Sequence, residues 1–185
     1  MRRSLAAVAV LALAGAAARA EPDQALGLTT GFAVAVPDSN ARQSGYGAGI
    51  MLMAEYVKWP GKWLSPRGYT GAVFTSPAPS CDEGVSPCDI RANLFFLGAK
   101  LRLLLPIPYV GPFLELGVGA SAGHMAARID QSLSFDTSGV FFDLPFAFGL
   151  ALGAEHRFQL SFQFLFHPGE SMGTGALSIG YDFSI

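Results

Sequence analysis

The last ten residues, Ala176 to Ile185, alternate without a break. Leu177, Ile179, Tyr181, Phe183 and Ile185 carry bulk, while Ala176, Ser178, Gly180, Asp182 and Ser184 are small or polar. Successive side chains of a strand point to opposite faces, so this segment is a two-faced strand. Seven more stretches repeat the pattern. Residues 25–36 set Leu26, Leu28, Phe32, Val34 and Val36 against Ala25, Gly27, Thr29, Gly31, Ala33 and Ala35. Residues 45–59 set Tyr46, Ile50, Leu52 and Tyr56 against Gly47, Gly49, Met51, Met53 and Glu55. Residues 68–75 are the weakest stretch, because Tyr69, Val73 and Phe74 do not settle on one face. Residues 90–104 lose their phase near Leu94 to Leu97, although Lys100 and Arg102 mark one face as polar. Residues 113–124 set Leu114, Leu116 and Val118 against Glu115, Gly117, Gly119 and Ser121. Residues 140–153 set Phe142, Leu144, Phe146, Phe148, Leu150 and Leu152 against Asp143, Ala147, Gly149 and Ala151. Residues 157–166 set Phe158, Leu160, Phe162, Phe164 and Phe166 against Gln159, Ser161 and Gln163.

Such lengths match the ~9–11 residues of a tilted membrane strand. Regular strands separated by turn signals predict a meander that closes on itself. Pro145 interrupts the sixth strand. Proline cannot donate to a sheet ladder, so a bulge or bend is expected there.

The first twenty residues follow a different rule. Arg2 and Arg3 precede an uncharged apolar run from Leu5 to Ala18, and Ala18 and Ala20 are the small residues read at a signal cleavage site. The run is shorter than the ~20 residues of a spanning helix. Residues 1–20 are therefore expected to be a cleaved secretory signal, and residues 21–185 a single barrel domain. That domain carries 9 basic and 14 acidic side chains, a net charge of −5. Nucleic-acid binding, which calls for a basic patch, is excluded.

Charge also decides which face points outward. Charged residues make up 14% of the chain, against ~25% in ordinary soluble domains. With the bulky face inward, eight strands would have to pack five or six large side chains each into a lumen only wide enough for ordinary side chains. With it outward, Phe and Leu meet hydrocarbon, small residues and a few charges fill the lumen, and closure pairs every backbone group. The fold class is thus all-β: an eight-stranded antiparallel up-and-down transmembrane β-barrel.

Eight strands put both termini at one end, the periplasmic one. Outer connections are expected at residues 37–44, 76–89, 125–139 and 167–173, and periplasmic turns at 60–67, 105–112 and 154–156. Tyr56, Trp59, Trp63, Tyr109 and Tyr181 fall near the periplasmic rim, where an aromatic girdle belongs.

On the signal, the eight alternating strands and the aromatic terminal strand, the chain resembles the small outer-membrane β-barrels of the OmpA-transmembrane-domain and OmpX type. The resemblance covers nearly all of residues 21–185. It implies residence in the outer membrane, contact with its lipid and lipopolysaccharide, and insertion by the barrel-assembly machinery. Tyr181, Phe183 and Ile185 would occupy the assembly signal of the last strand, with Ile185 where the family usually ends in Phe. No appended peptidoglycan-binding domain is expected.

Candidate chemistry is sparse. Glu115, Lys100 and Arg102 lie on polar faces of adjacent strands, and a hairpin centred near Pro108 sets Arg102 opposite Glu115. A lumen cluster of paired charges is expected there, joined by Glu55 and Asp143; an ion path is the alternative. Cys81 and Cys88 share one outer loop in an oxidising compartment, which favours a loop disulfide over a zinc site. His167, Glu170 and Ser171 bring a base, an acid and a hydroxyl to one loop. However, the short His-x-Ser motif of lipid A deacylases is absent at His124 and His156, and Pro168 with Gly169 reads as a solvated turn. No catalytic residue, cofactor or metal is expected. A monomeric structural or adhesive outer-membrane barrel is the leading reading. A narrow pore for small solutes and a lipid-modifying enzyme are its rivals.

Overall fold

The computed structural model describes residues 24–37, 46–60, 62–77, 88–129, 133–170 and 172–185. These residues form eight strands and no helix: β1 (Gln24–Pro37), β2 (Gly47–Lys58), β3 (Leu64–Pro77), β4 (Cys88–Leu104), β5 (Val110–Ile129), β6 (Leu133–Leu152), β7 (Phe158–Phe166) and β8 (Met172–Ser184). Each pairs antiparallel with the next, and β8 pairs with β1 to close the barrel. Following cross-strand partners around the wall from Leu26, through Tyr56, Gly68, Ala99 and Val118, carrying the β5–β6 register across its missing bridge to Leu144, and going on through Phe166 and Gly173, leads to Val36. That is ten residues further along β1, the stagger that a tilt of roughly 35–45° imposes on a closed sheet.

Alternation sets the two faces. Phe32, Ile50, Phe95, Leu97, Leu116 and Phe142 are each more than half exposed on the outer wall. Phe146, Phe148, Phe162, Phe164 and Phe166 add a continuous aromatic surface across β6 and β7, with the Phe148 and Phe162 rings 5.3 Å apart. A closed wall with an apolar exterior is the arrangement hydrocarbon demands. The chain is a transmembrane β-barrel.

Three elements differ from the sequence expectation. β3 starts at Leu64 and includes Ser65 and Arg67, which the turn assignment had taken; both face the lumen. β5 and β6 run on to Ile129 and back from Leu133, so the expected outer loop 125–139 is mostly a paired hairpin. Nothing between Met125 and Ile129 breaks a ladder, and alanine at 126 and 127 hides the alternation. Pro145 makes no bulge. Leu116 pairs with Phe146 and Gly119 with Asp143 in one register, and only the bridges at Gly117 and Val118 are missing. The absent N–H removes a bond without inserting a residue.

The lumen has two halves. Toward the end opposite the termini it is an apolar core that includes Ile90, Leu94, Phe96, Met125, Phe141 and Met172. Toward the termini it is mainly polar and charged, with a small apolar cluster of Leu104, Phe113 and Ala151 at that end. The expectation that small residues fill the lumen therefore holds for only part of it. The apolar half also explains the lost phase in β3 and β4. Tyr69, Val73, Leu94 and Phe96 point inward while Phe74, Phe95 and Leu97 point outward, so both faces are apolar.

Candidate functional site

Six buried charges, three of each sign, meet in the half of the lumen nearer the termini. Arg67, on β3, donates to Glu55 of β2 at 2.7 Å and reaches across the lumen to Asp182 of β8 at 2.9 Å. Lys100, on β4, bridges Glu55 and Glu115, the latter at 2.7 Å. Arg102 donates through Nε to Glu115 Oε1 at 2.6 Å and through Nη2 to Gln159 Oε1 of β7 at 2.6 Å. Its guanidinium also lies 3.9 Å from the centre of the Phe113 ring. Arg102 and Glu115 are direct cross-strand partners. Every side chain of the six is almost fully buried. Charge balance matters here: an unpaired ion in this setting would cost several kcal/mol.

Of the residues expected in the cluster, the structure brings together Glu55, Lys100, Arg102 and Glu115. It places Asp143 elsewhere. Arg67, Asp182 and Gln159 complete the network and were not singled out from sequence. Asp182 and Gln159 were legible as polar-face residues, and the four grouped residues alone left no partner for a charge on β8. Arg67 was hidden inside a turn assignment.

Asp143 sits higher, between the two halves. One carboxylate oxygen accepts the Ser121 hydroxyl of β5, and the other lies 3.2 Å from His167 Nε2 without the alignment of a hydrogen bond. His167 stands just beyond β7, with its side chain fully buried and its ring edge-on to Phe141. Burial drives its imidazole below the ordinary value, against the opposing pull of Asp143. The order of contacts is serine, aspartate, histidine. A nucleophilic serine needs its base on the hydroxyl, and here the carboxylate occupies that place. Ser171 lies outside the described residues.

A void beside Tyr69, Lys100 and Glu115 has a volume of about 20 Å³, room for about one water.

At the rim of the termini, Tyr56, Trp63, Tyr109 and Tyr181 are exposed on the outside, and Trp59 is partly so. Tyr181 and Phe183 contact each other edge-on at 4.8 Å on the outer face of β8. Ile185 follows the strand, its N–H donating to the Gln24 carbonyl at 3.3 Å. Cys81 lies outside the described residues, and Cys88 opens β4. The segment 1–20 also lies outside them.

No protein-family model and no curated protein sequence matches the chain. Solved structures do. Neisserial surface protein A superposes with a TM-score of 0.58 at 14% identity, over 88% of this chain and 97% of that one. Ail, the attachment invasion locus protein of Yersinia pestis, solved with the heparin analogue sucrose octasulfate, gives 0.50 at 17% identity, over 87% and 99%. This is the fold of the small eight-stranded outer-membrane barrels. At these identities the likeness concerns the fold and leaves the role to the residues.

Proposed function

We propose that the protein is a monomeric outer-membrane barrel with a sealed lumen that acts through its outer connections, as a structural or adhesive surface protein. The observation that carries this is the filled lumen. A neutral ion network closes the half nearer the termini, an apolar core closes the other, and the void beside the network holds about one water. A pore needs a continuous wet path, which this packing opposes. The Ser121–Asp143–His167 order argues against acyl transfer. The apolar belt fits the lipid and lipopolysaccharide of an outer membrane, and the exposed aromatic face of β8 fits recognition by the assembly machinery.

Ail is a barrel named for attachment and was solved with a sulfated ligand. A polyanion is a poor candidate here. Residues 37–44, 76–89, 125–139 and 167–173 hold seven carboxylates and two basic side chains. A neutral or cationic protein surface suits them better. Planar-bilayer recording of the refolded mature chain is expected to show no unitary conductance, and steady channel steps would favour the pore instead. Lipid A mass spectra are expected to be unchanged by the protein. Proteoliposomes are expected to bind basic matrix proteins and not immobilised heparin.

A further inference from the structure

β6 reaches past the strand that flanks it. Its pairing with β7 ends at Leu144 and Phe166, while its pairing with β5 continues to Leu133. Among the described residues, no strand pairs with the other side of residues 133–143. The groups on that side follow from the register. One step beyond the Val110–Leu152 pair, Gly153 N–H donates to the Tyr109 carbonyl at 3.0 Å. Opposed residues of an antiparallel pair exchange both backbone bonds or neither, in alternation. Odd-numbered residues of β6 therefore face β5. Ser134, Asp136, Ser138, Val140 and Phe142 turn N–H and C=O to the open side.

The edge is bare and undefended. Ser138, Gly139 and Val140 are exposed in succession, so neither face of the strand is covered there, and Val140 reaches 77%. A methyl group at Gly139 would meet nothing within 4 Å. Edge strands are ordinarily protected by lysine, proline or a bulge. Residues 133–143 contain no Lys, Arg or Pro, and their register against β5 has no bulge. Phe135, Thr137, Val140, Phe141 and Phe142 are strong strand formers.

Only a polypeptide carries donors and acceptors at the spacing of such a row. A second copy is a poor occupant. Barrels in one membrane run β6 in the same direction and cannot align these edges antiparallel. In facing membranes the outer ends would repel, because residues 37–44, 76–89, 125–139 and 167–173 hold seven carboxylates against two basic side chains. The same charge attracts a cationic partner. We propose that the open edge of β6 takes up an extended segment of a basic protein as an added antiparallel strand. The segment would lie in line with β7, beyond the turn at His167. The proposal rests on the reading that the protein acts through its outer connections, and it supplies the site.

The test separates backbone pairing from charge. The probe is a fluorescent peptide of alternating valine, lysine and threonine, long enough to span the edge. Its control is the same peptide methylated at every backbone nitrogen, which keeps the charge and loses every donor. Binding to proteoliposomes of the mature barrel is read by fluorescence anisotropy. The plain peptide is expected to bind more tightly by about tenfold or more, the equivalent of two backbone bonds. Ser138→Pro should abolish that difference, since it removes a donor from the open side and leaves the β5 bonds intact. Val140→Lys, which adds an edge lysine without changing the backbone, should weaken the plain peptide likewise. An unheated gel shift reports that each variant is folded. Equal affinity for the two peptides would overturn the proposal, and so would a preference that survives both variants. Basic matrix proteins bound equally well by the unaltered and Ser138→Pro barrels would remove the edge and leave the surface role standing. Failure to bind any matrix protein or peptide would remove both.

Discussion

Arg67 and Asp182 are 115 residues apart in sequence and 2.9 Å apart in the lumen, on strands separated by β1 and β2. The pair is a strut across the barrel, and Glu55 shares the same guanidinium. Arg67→Met would leave both carboxylates buried with fewer partners. The expected destabilisation is about 3–5 kcal/mol. Arg67→Lys keeps the charge but loses the two-armed reach, so it should fall between the two. Urea titration of the vesicle-inserted barrel, followed by gel mobility, would measure this. A midpoint unchanged in Arg67→Met would show that the network contributes nothing.

The two halves of the lumen predict how it would have to be opened. Arg102→Ala removes a charge and two hydrogen bonds from the inner half, yet Phe96, Met125 and Phe141 still fill the outer half. Bilayer recording of that variant is expected to stay silent. Conductance should appear only when Phe96→Ala and Met125→Ala are added. Channels in Arg102→Ala alone would place the seal in the charges.

Strand number, order and facing were readable because lipid outside and small or charged residues inside give a strong period of two. Where the lumen itself turns apolar, at Tyr69, Val73, Leu94 and Phe96, that contrast vanishes and the phase is lost. The cluster was half readable for a related reason. Glu115 and Arg102 face each other across one tight turn, so hairpin geometry reaches them. Asp182 and Arg67 meet only through closure and stagger of the whole wall, and no local pattern encodes that. Asp143 shows the converse. It shares a polar face with the cluster but stands too far along β6 to join it.

Gly119 makes room for Tyr69. A methyl group at position 119 would lie 2.1 Å from the Tyr69 hydroxyl and 2.7 Å from the Leu97 carbonyl oxygen. Gly119→Ala is therefore expected to destabilise the barrel by about 1–3 kcal/mol, the range for overpacking. Tyr69→Phe in the same chain removes the nearer clash but not the backbone one, so it should restore part of the loss. Chemical denaturation of the two single variants and the double variant gives the coupling. Strict additivity would mean the hydroxyl is not the obstacle.

His167 gives a pH dependence with a definite sign. Its imidazole is buried beside Asp143, Ser121 and Phe141, with Glu170 on its own loop. Burial lowers its proton affinity in the folded barrel. In the unfolded chain it titrates near its ordinary value of about 6.5. Above that pH neither state holds the proton, and the barrel keeps its full stability. Below it the unfolded chain takes up a proton that the folded barrel refuses, so stability falls as the pH drops. The urea midpoint is expected to decline between about pH 7 and pH 5, where most carboxylates remain ionised. His167→Asn should flatten that decline. A barrel that gains stability on acidification would mean that the Asp143–His167 pair takes up a proton on folding, and the sign argued here would be wrong.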